Sequence, residues 1–399
     1  MEKEEKILLM NRSRAALIIT LIFTTTVLQA QQKVALGGYV SDLQTVYRIP
    51  DRWLWENSLQ NRLNFKFYPA DWLSGTFQLR SRVITGSTVI KFPGYAEGID
   101  GDQGWLDLSF AADGDLGDSA GYVLTTAIDR LWLQFTFGNL EITAGRQRIN
   151  WGQTFVWNPN DIFNVYSYFD VDYPERPGGD ALRIQYYTGT ASTIELAAKA
   201  DSADRITAAG YFRFNALGYD VQLLGGIYQQ EDLVLGTGWS GSIGPTAFRG
   251  ELSYFRDLDH FKDTSGYLMA SAGLDYTFRN SLWIRMEGLY SGFAREQDIY
   301  SLLQVYSGNL DVKNLGFTPW SFFSNLSYPF TPLINGSLAA MYYPQWKGFY
   351  LGPSLKVSLF TTIDLSLIVQ FFSAEFDNPF GSSSRENYAF GFLKFKWSF

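Results

Sequence analysis

The chain contains no cysteine and only one histidine, His260. The first absence excludes a disulfide framework, a thiolate metal site, a cysteine nucleophile and a lipidated N-terminal cysteine. The second leaves too few imidazoles for a multi-histidine metal site. An excess of positive charge is missing too. The 32 Lys and Arg stand against 40 Asp and Glu, for a formal charge of −8 and a pI near 4.9, which argues against nucleic acid as a partner, since a general binder needs a net basic footprint. Beyond the first 30 residues no stretch approaches 18 consecutive apolar residues, so a helical membrane span is excluded on length. Charged residues make up 18% and mean hydropathy is −0.09, too polar for a bundle of membrane helices. What the chain has in abundance is aromatic side chains, 12 Trp, 24 Tyr and 32 Phe in 399 residues, together with 37 Gly. That is too aromatic for a typical soluble enzyme.

Arg12 and Arg14 precede an apolar run over residues 15–27, and Leu28-Gln29-Ala30-Gln31 then places a small residue where signal peptidase cuts. The run of 13 residues is short of the roughly 20 that cross a bilayer as a helix, so residues 1–30 read as a secretory signal peptide and 31–399 as the exported unit. Glu2, Glu4 and Glu5 are unusual in a positive n-region, and a start at Met10 would give a cleaner one. Cleavage removes four basic and three acidic side chains, taking the formal charge from −8 to −9.

The exported unit alternates with period two. Over residues 59–67, Leu59, Leu63, Phe65 and Phe67 share one face and Gln60, Arg62, Asn64 and Lys66 the other. Over 73–83, Leu73, Gly75, Phe77, Leu79 and Val83 oppose Ser74, Thr76, Gln78, Arg80 and Arg82. Successive side chains leave a strand on opposite faces, so these segments are strands. The pattern returns at 130–137, 194–200, 219–227, 248–255, 268–278, 282–290, 334–342, 355–360 and 364–371. Short connections alternate with longer Asp-, Gly- and Ser-rich ones, as periplasmic turns alternate with external loops in transmembrane barrels. The expected fold is all-β, an antiparallel up-and-down transmembrane barrel of about 18 strands, in the range 16–18. Lipid satisfies its apolar outer face and closure removes unpaired edges. In the last strand, Ala389, Gly391, Leu393, Phe395, Trp397 and Phe399 alternate with Lys394, Lys396 and Ser398. A terminal aromatic on such a strand resembles the signal by which the barrel assembly machinery recognises its clients, making that machinery and outer-membrane lipid the expected partners.

With the apolar face outward, the lumen receives Arg62, Lys66, Arg80, Arg82, Arg130, Arg183, Lys199, Arg213, Arg249, Arg285, Lys356, Lys394 and Lys396. Fewer acids point inward: Glu141, Glu195, Asp220, Glu251, Asp275, Glu287 and Asp364. A basic wall favours anions by Coulomb attraction, and the competing reading is that these bases pair with the inward acids and merely hold the wall. Asp100, Asp102, Asp107, Asp113, Asp115 and Asp118 fall in one connecting stretch, on an expected external loop.

The alternation breaks in Gly145-Arg146-Gln147-Arg148-Ile149-Asn150-Trp151-Gly152-Gln153 and the following Trp157-Asn158-Pro159-Asn160-Asp161-Ile162-Phe163. Arg146 and Arg148 are in phase with apolar Leu140, Ile142 and Ala144, so a bulge or a glycine-mediated re-aiming is expected at Gly145. A Gly-Arg-Gln strand end leading to Trp-Gly and Asn-Pro-x-Asp resembles the alginate-export-like and related uncharacterised porin-type barrels of the Gram-negative outer membrane. The local motif covers about 20 residues, and elsewhere only the barrel pattern matches. The resemblance implies that Arg146, Arg148, Trp151, Asn158 and Asp161 sit at the pore and that the loop after them folds inward. The length of residues 152–180 and their aromatics, among them Phe155, Trp157, Phe163, Tyr168 and Phe169, agree with an inward constriction loop.

The expected function is passive passage of small acidic or saccharide solutes through a basic lumen, with no cofactor, metal or catalytic residue. In such a conduit, removing Arg146 and Arg148 should change ion preference. The alternative is a non-conducting scaffold barrel acting through its external loops at 98–120 and 293–316. An enzyme would have to build on His260, among Asp257, Asp259, Lys262 and Asp263, in what reads as a solvated loop. A plugged receptor needs a separate N-terminal domain and 22 strands, more than about 370 residues supply.

Overall fold

The computed structural model describes residues 33–49, 52–91, 102, 104–115, 121–165, 167–171, 178–263, 265–295, 311–377 and 383–399. The expected signal peptide lies outside these residues, as do Asp100, Asp118 and residues 172–177 and 296–310 of the expected external connections. Nineteen strands are described: β1 (Val34–Ile49), β2 (Arg52–Ala70), β3 (Leu73–Gly86), β4 (Ser109–Asp115), β5 (Gly121–Phe137), β6 (Leu140–Gln147), β7 (Gly179–Tyr187), β8 (Thr193–Ala200), β9 (Ile206–Ala216), β10 (Tyr219–Tyr228), β11 (Asp232–Ile243), β12 (Thr246–Asp257), β13 (Tyr267–Thr277), β14 (Trp283–Ser291), β15 (Trp320–Thr331), β16 (Ile334–Tyr343), β17 (Gly348–Phe360), β18 (Ile363–Asp377) and β19 (Ser383–Ser398).

Each strand pairs antiparallel with its sequence neighbour, except that β3 pairs with β5 across the short β4, and β19 closes on β1 from Tyr39↔Ser398 to Arg48↔Ala389. Eighteen strands thus form a closed barrel with β4 as an extra element, as the alternation indicates. Among the described residues, no helix is long and apolar enough to cross a membrane. At one end the connections are short. Leu217 and Gly218, the two residues between β9 and β10, both take positive φ, 53° and 80°, as a turn matched to strand twist demands. At the other end lie the long connections, including 87–120, 148–178 and 292–319.

The outward face is apolar and bounded by aromatics. Trp53 and Trp55 stand near the long-loop end of β2, and Trp72, Phe137 and Tyr186 near the short-turn end. These girdles mark the two membrane interfaces of a spanning barrel.

The wall has one irregularity that positions the interior. At eight and nine residues, β6 and β7 stop well short of the long-loop end reached by the 17-residue β5. The upper half of β5 would be an open edge inside a membrane protein. Instead β4 takes up the missing ladder, from Ser109↔Ala127 to Asp115↔Gly121, and Gly104 bridges to Asp201 beyond β8. The connection before β5 therefore patches the wall, leaving the chain after Gln147 free to turn into the lumen.

Candidate functional site

The inward segment runs from Arg148 to Val171 and is fastened by lumen-facing acids. Glu251 on β12 is fully buried, and its carboxylate accepts the backbone N–H groups of Gln153, Thr154 (2.8 Å) and Asn160 (2.8 Å), with the Thr154 hydroxyl at 3.0 Å. Glu287, two strands on in β14, accepts from the N–H groups of Phe155 (2.9 Å), Val156 (3.1 Å) and Trp157 (2.7 Å). A segment without regular structure leaves its N–H groups unpaired, and these two carboxylates supply acceptors where water is excluded. Asn160 donates to Thr237 O at 3.0 Å and accepts from the Ser253 hydroxyl at 2.6 Å, while Gln222 holds Trp151 O at 2.9 Å. Past this grip, Lys199 donates to Phe163 O at 2.6 Å and Lys394 to Val171 O at 3.1 Å. Tyr168 and Phe169 pack edge-on against Phe323, Tyr350 and Phe372 at centroid distances of 5.1–6.5 Å. The segment thus crosses the interior from the β8–β14 wall to β15–β19, and the expected inward fold is observed.

The residues singled out within it anchor the segment. Trp151 is buried, stacked on Tyr211 at 5.1 Å, with its indole N–H donating to Glu195 at 2.7 Å. Asn158 is buried against Gly152, where a Cβ would lie 2.3 Å from the amide oxygen, so glycine permits this close approach. Asp161 is buried and donates its backbone N–H to Asn158 O at 3.0 Å. Arg148, just past the end of β6, is exposed.

Arg146 requires a correction. Gly145 has φ +114°, but the β5–β6 register runs unbroken through Trp132↔Gly145 and Leu131↔Arg146, so no bulge re-aims the chain. Arg146 stays on the outward phase beside exposed Leu131, away from the lumen. Its side chain is 4% exposed because the 102–108 patch covers it. Nε donates to Asp180 Oδ1 and Nη2 to Asp180 Oδ2, both at 2.9 Å, Nη1 donates to Asp102 at 2.5 Å, and Nη2 also reaches Leu106 O. Arg146 is the rivet that fixes the wall patch to β6 and β7.

The remaining lumen arginines fall into two groups. Arg183 pairs bidentately with Glu195 at 2.7–2.8 Å, and Arg249 and Arg285 share Asp275 at 3.1 and 3.4 Å. Arg285 also lies between Phe155 and Trp283, 4.2 and 4.5 Å from their centroids. These bases are tied to neighbouring strands and to the segment, as the competing reading of the wall held. The second group is Arg62, Arg80, Arg82 and Arg130 on the adjacent strands β2, β3 and β5. Arg62 stands directly opposite Arg80, and Gln60 opposite Arg82. Like charges directly opposite destabilise a sheet. The register passes from Gln78↔Arg130 to Leu79↔Ile128, so Asp129 is an inserted residue that reaches Arg62 at 2.5 Å and Arg80 at 3.6 Å. Arg62 also donates to Gln78 at 2.6 Å, Arg82 to the Thr125 hydroxyl at 3.2 Å, and Arg130 to Asp129 O at 2.7 Å. Sequence reading missed Asp129, Asn160 and the latching role of Glu251 and Glu287. The two glutamates were legible as inward acids, whereas the bulge at Asp129 has no Gly or Pro beside it to mark it.

His260 is exposed in the β12–β13 connection, with its ring nitrogen 3.3 Å from Asp257. Among the described residues, no group of three or more His, Cys, Asp or Glu is placed to hold a metal ion.

No protein-family model matches the sequence, and no curated protein does, so the alginate-export-like resemblance of residues 145–163 has no counterpart there. Solved structures do match. OccK11 (OpdR) of Pseudomonas aeruginosa aligns at a TM-score of 0.56 and 9% identity over 92% of this chain and 96% of that one. OccD3 (OpdP) of the same organism aligns at 0.53 and 11% identity over 91% of each chain. OccAB4 of Acinetobacter baumannii aligns at 0.55 and 8% identity, covering 92% and 99%. At such identities the likeness is one of fold, and this chain has the fold of the outer-membrane porins: a closed barrel of 18 antiparallel strands around an inward segment.

Proposed function

We propose that this protein is an outer-membrane channel for passive passage of small anionic solutes, acidic saccharides included. The observation that carries the reading is the arginine group on β2, β3 and β5. Arg62 faces Arg80 across a strand pair with the single carboxylate of Asp129 reaching both, and Arg82 and Arg130 stand on the same stretch of wall, so basic groups are gathered there in excess of the acid that links them. Four guanidiniums on adjacent strands of the lumen wall favour anions entering it. Arg249 and Arg285, which share the one carboxylate of Asp275, and exposed Arg148 add positive charge, Arg183 is balanced by Glu195, and Trp151, Asn158 and Asp161 hold the segment that shapes the path. The porin fold supports a conduit, and nothing in the reading calls for catalysis.

The test is the reversal potential of refolded protein in a planar bilayer under a salt gradient. Wild type is expected to prefer anions, and Arg80→Ala/Arg82→Ala to shift the potential toward neutrality with conductance retained. An unchanged potential in the double variant would sink the anion reading. A silent bilayer with folded protein would favour the scaffold alternative.

The reading includes export by the signal peptide at residues 1–30 and delivery to the barrel assembly machinery through β19. Phe399 closes the barrel, exchanging backbone hydrogen bonds with Gly38 at 2.9 and 3.0 Å. Phe399→Ala is expected to lower severalfold the heat-modifiable barrel recovered from outer membranes. Equal recovery would remove this residue from the assembly signal.

A further inference from the structure

The long-loop rim of the barrel is unevenly charged. At the ends of β8–β11, Asp201, Asp204, Glu231 and Asp232 stand against Arg205 and Lys313, with Arg205 2.9 Å from Asp201 and Lys313 bridging Glu231 and Asp232. Across the ring, from β17 through β19 to β1 and β2, the balance reverses. Lys347, just before β17, and Arg385 on β19 share one carboxylate, Glu375 on β18, at 3.1 and 3.7 Å. The Arg48 guanidinium on β1 lies 6.0 Å from the centre of the Trp53 ring on β2. Among the described side chains of this outward rim, three cations thus stand with a single carboxylate.

All three point away from the lumen. Arg48 is exposed, in phase with exposed Gln44 and Val46, and directly opposite Trp53. Arg385 is in phase with outward Leu393 and Phe395, and Lys347, 72% exposed, is in phase with outward Phe349 and Leu351. The wall beneath and beside them is aromatic. Tyr342 lies opposite Phe349, whose ring is 5.8 Å from that of Phe371, and Trp53 and Trp55 are both more than half exposed. Cations beside outward aromatic faces at the long-loop end lie where acyl chains give way to headgroups.

We propose that the outward rim from β17 to β2 is a binding surface for a phosphorylated lipid of the outer leaflet. A free anion gains nothing from the aromatic faces, and a solute in the lumen passes on the other side of the wall. A phosphorylated lipid uses both halves of the surface: its phosphates meet Lys347, Arg385 and Arg48, and its acyl chains lie on Tyr342, Phe349 and Trp53. Arg385 stands four residues beyond Ala389, the partner of Arg48, a span of about 13 Å along β19, which suits a headgroup with a phosphate at each end. Glu375 holds Lys347 and Arg385 side by side and offsets only one of them. The assignment is independent of which solute, if any, the lumen passes.

The test titrates refolded protein in detergent with diphosphorylated lipid A, with the same lipid stripped of its phosphates, and with inorganic phosphate, read by thermal melts and native mass spectrometry. Diphosphorylated lipid A is expected to raise the melting midpoint by several degrees and to appear as a bound adduct, with the other two inert. Arg48→Gln/Lys347→Gln/Arg385→Gln is expected to lower the affinity severalfold while keeping the heat-modifiable migration of a folded barrel. Lys347→Glu alone, at a solvated position, is expected to weaken binding in the same direction. Lys262→Gln/Arg279→Gln, on connections away from this rim, is expected to bind as wild type. Equal binding of the dephosphorylated lipid would reduce the surface to acyl contact, and an equal shift with inorganic phosphate would make it a free-anion site. Either result, wild-type affinity in both rim variants, an equal loss in Lys262→Gln/Arg279→Gln, or a multiple of the chain mass in place of the lipid adduct would overturn the proposal.

Discussion

Glu251→Ala is expected to free the inward segment, raising single-channel conductance severalfold with added open-channel noise and making residues 148–171 susceptible to protease. The carboxylate serves three backbone N–H groups and one hydroxyl in a site with no exposure, and alanine leaves all four without that acceptor. Each buried group left unsatisfied costs about 1–3 kcal/mol, so the penalty exceeds what neighbouring aromatic packing replaces. Glu287→Ala removes the acceptor for three further N–H groups and is expected to act in the same direction. Glu251→Gln keeps one acceptor oxygen and should fall between wild type and alanine. Asp364→Ala is the control: Asp364 pairs with Lys356 at 3.1 Å on β17–β18 and should leave conductance close to wild type. Recordings of all four variants, with limited proteolysis, check the set. Wild-type conductance and protection in Glu251→Ala would show that packing alone holds the segment.

Arg146→Ala is expected to lower the barrel's thermal stability sharply while leaving its ion selectivity unchanged. The guanidinium neutralises Asp102 and Asp180 in a 4%-exposed site and binds a backbone carbonyl of the wall patch. Removing one member of a buried ion pair costs on the order of 3–5 kcal/mol, because the remaining charges stay buried without compensation. Lysine cannot reproduce the fork that spans both Asp180 oxygens, so Arg146→Lys should recover only part of the loss. Double replacement with Asp180→Asn should be milder than the sum of the singles, since the two changes remove one interaction. Thermal melts in detergent measure the stability and reversal potentials the selectivity. A shifted potential at wild-type stability would return Arg146 to the lumen.

Much of the fold was legible because alternation is a local property. Leu59 and Arg62 differ in phase whatever the rest of the chain does, and a strand with one apolar face must present it to lipid or to a core. The last strand illustrates this: Leu393, Phe395 and Trp397 face outward and Lys394 inward, in the register read from the sequence. The break after Gly145 likewise marked where the chain leaves the wall, and the aromatics from Phe155 to Phe169 marked a segment that packs on something.

Arg146 shows where that legibility stopped. Its phase with Leu140, Ile142 and Ala144 was read correctly, but an outward arginine in a membrane wall looked untenable, so a re-aiming toward the lumen was expected. The resolution comes from residues some 40 positions earlier, which fold back over the short β6 and β7. The inward arginines behave alike. Their direction followed from period two, while their pairing depended on which acids lay across the next strand, and Asp129 reached Arg62 and Arg80 only through an inserted residue.

The amino-acid sequence by itself determined a closed antiparallel barrel, its apolar outer face, the alternation of short turns with long connections and the point where the chain leaves the wall. All of these follow from side-chain polarity along a single strand or turn. Tertiary structure decided that Glu251 and Glu287 clamp the inward segment, that Arg146 rivets a wall patch, and that Arg62, Arg80, Arg82 and Arg130 share one stretch of lumen. These outcomes depend on register between strands and on the paths of long connections. Both are fixed by closure of the whole sheet and by pairing of every buried backbone group, which no local stretch of sequence encodes.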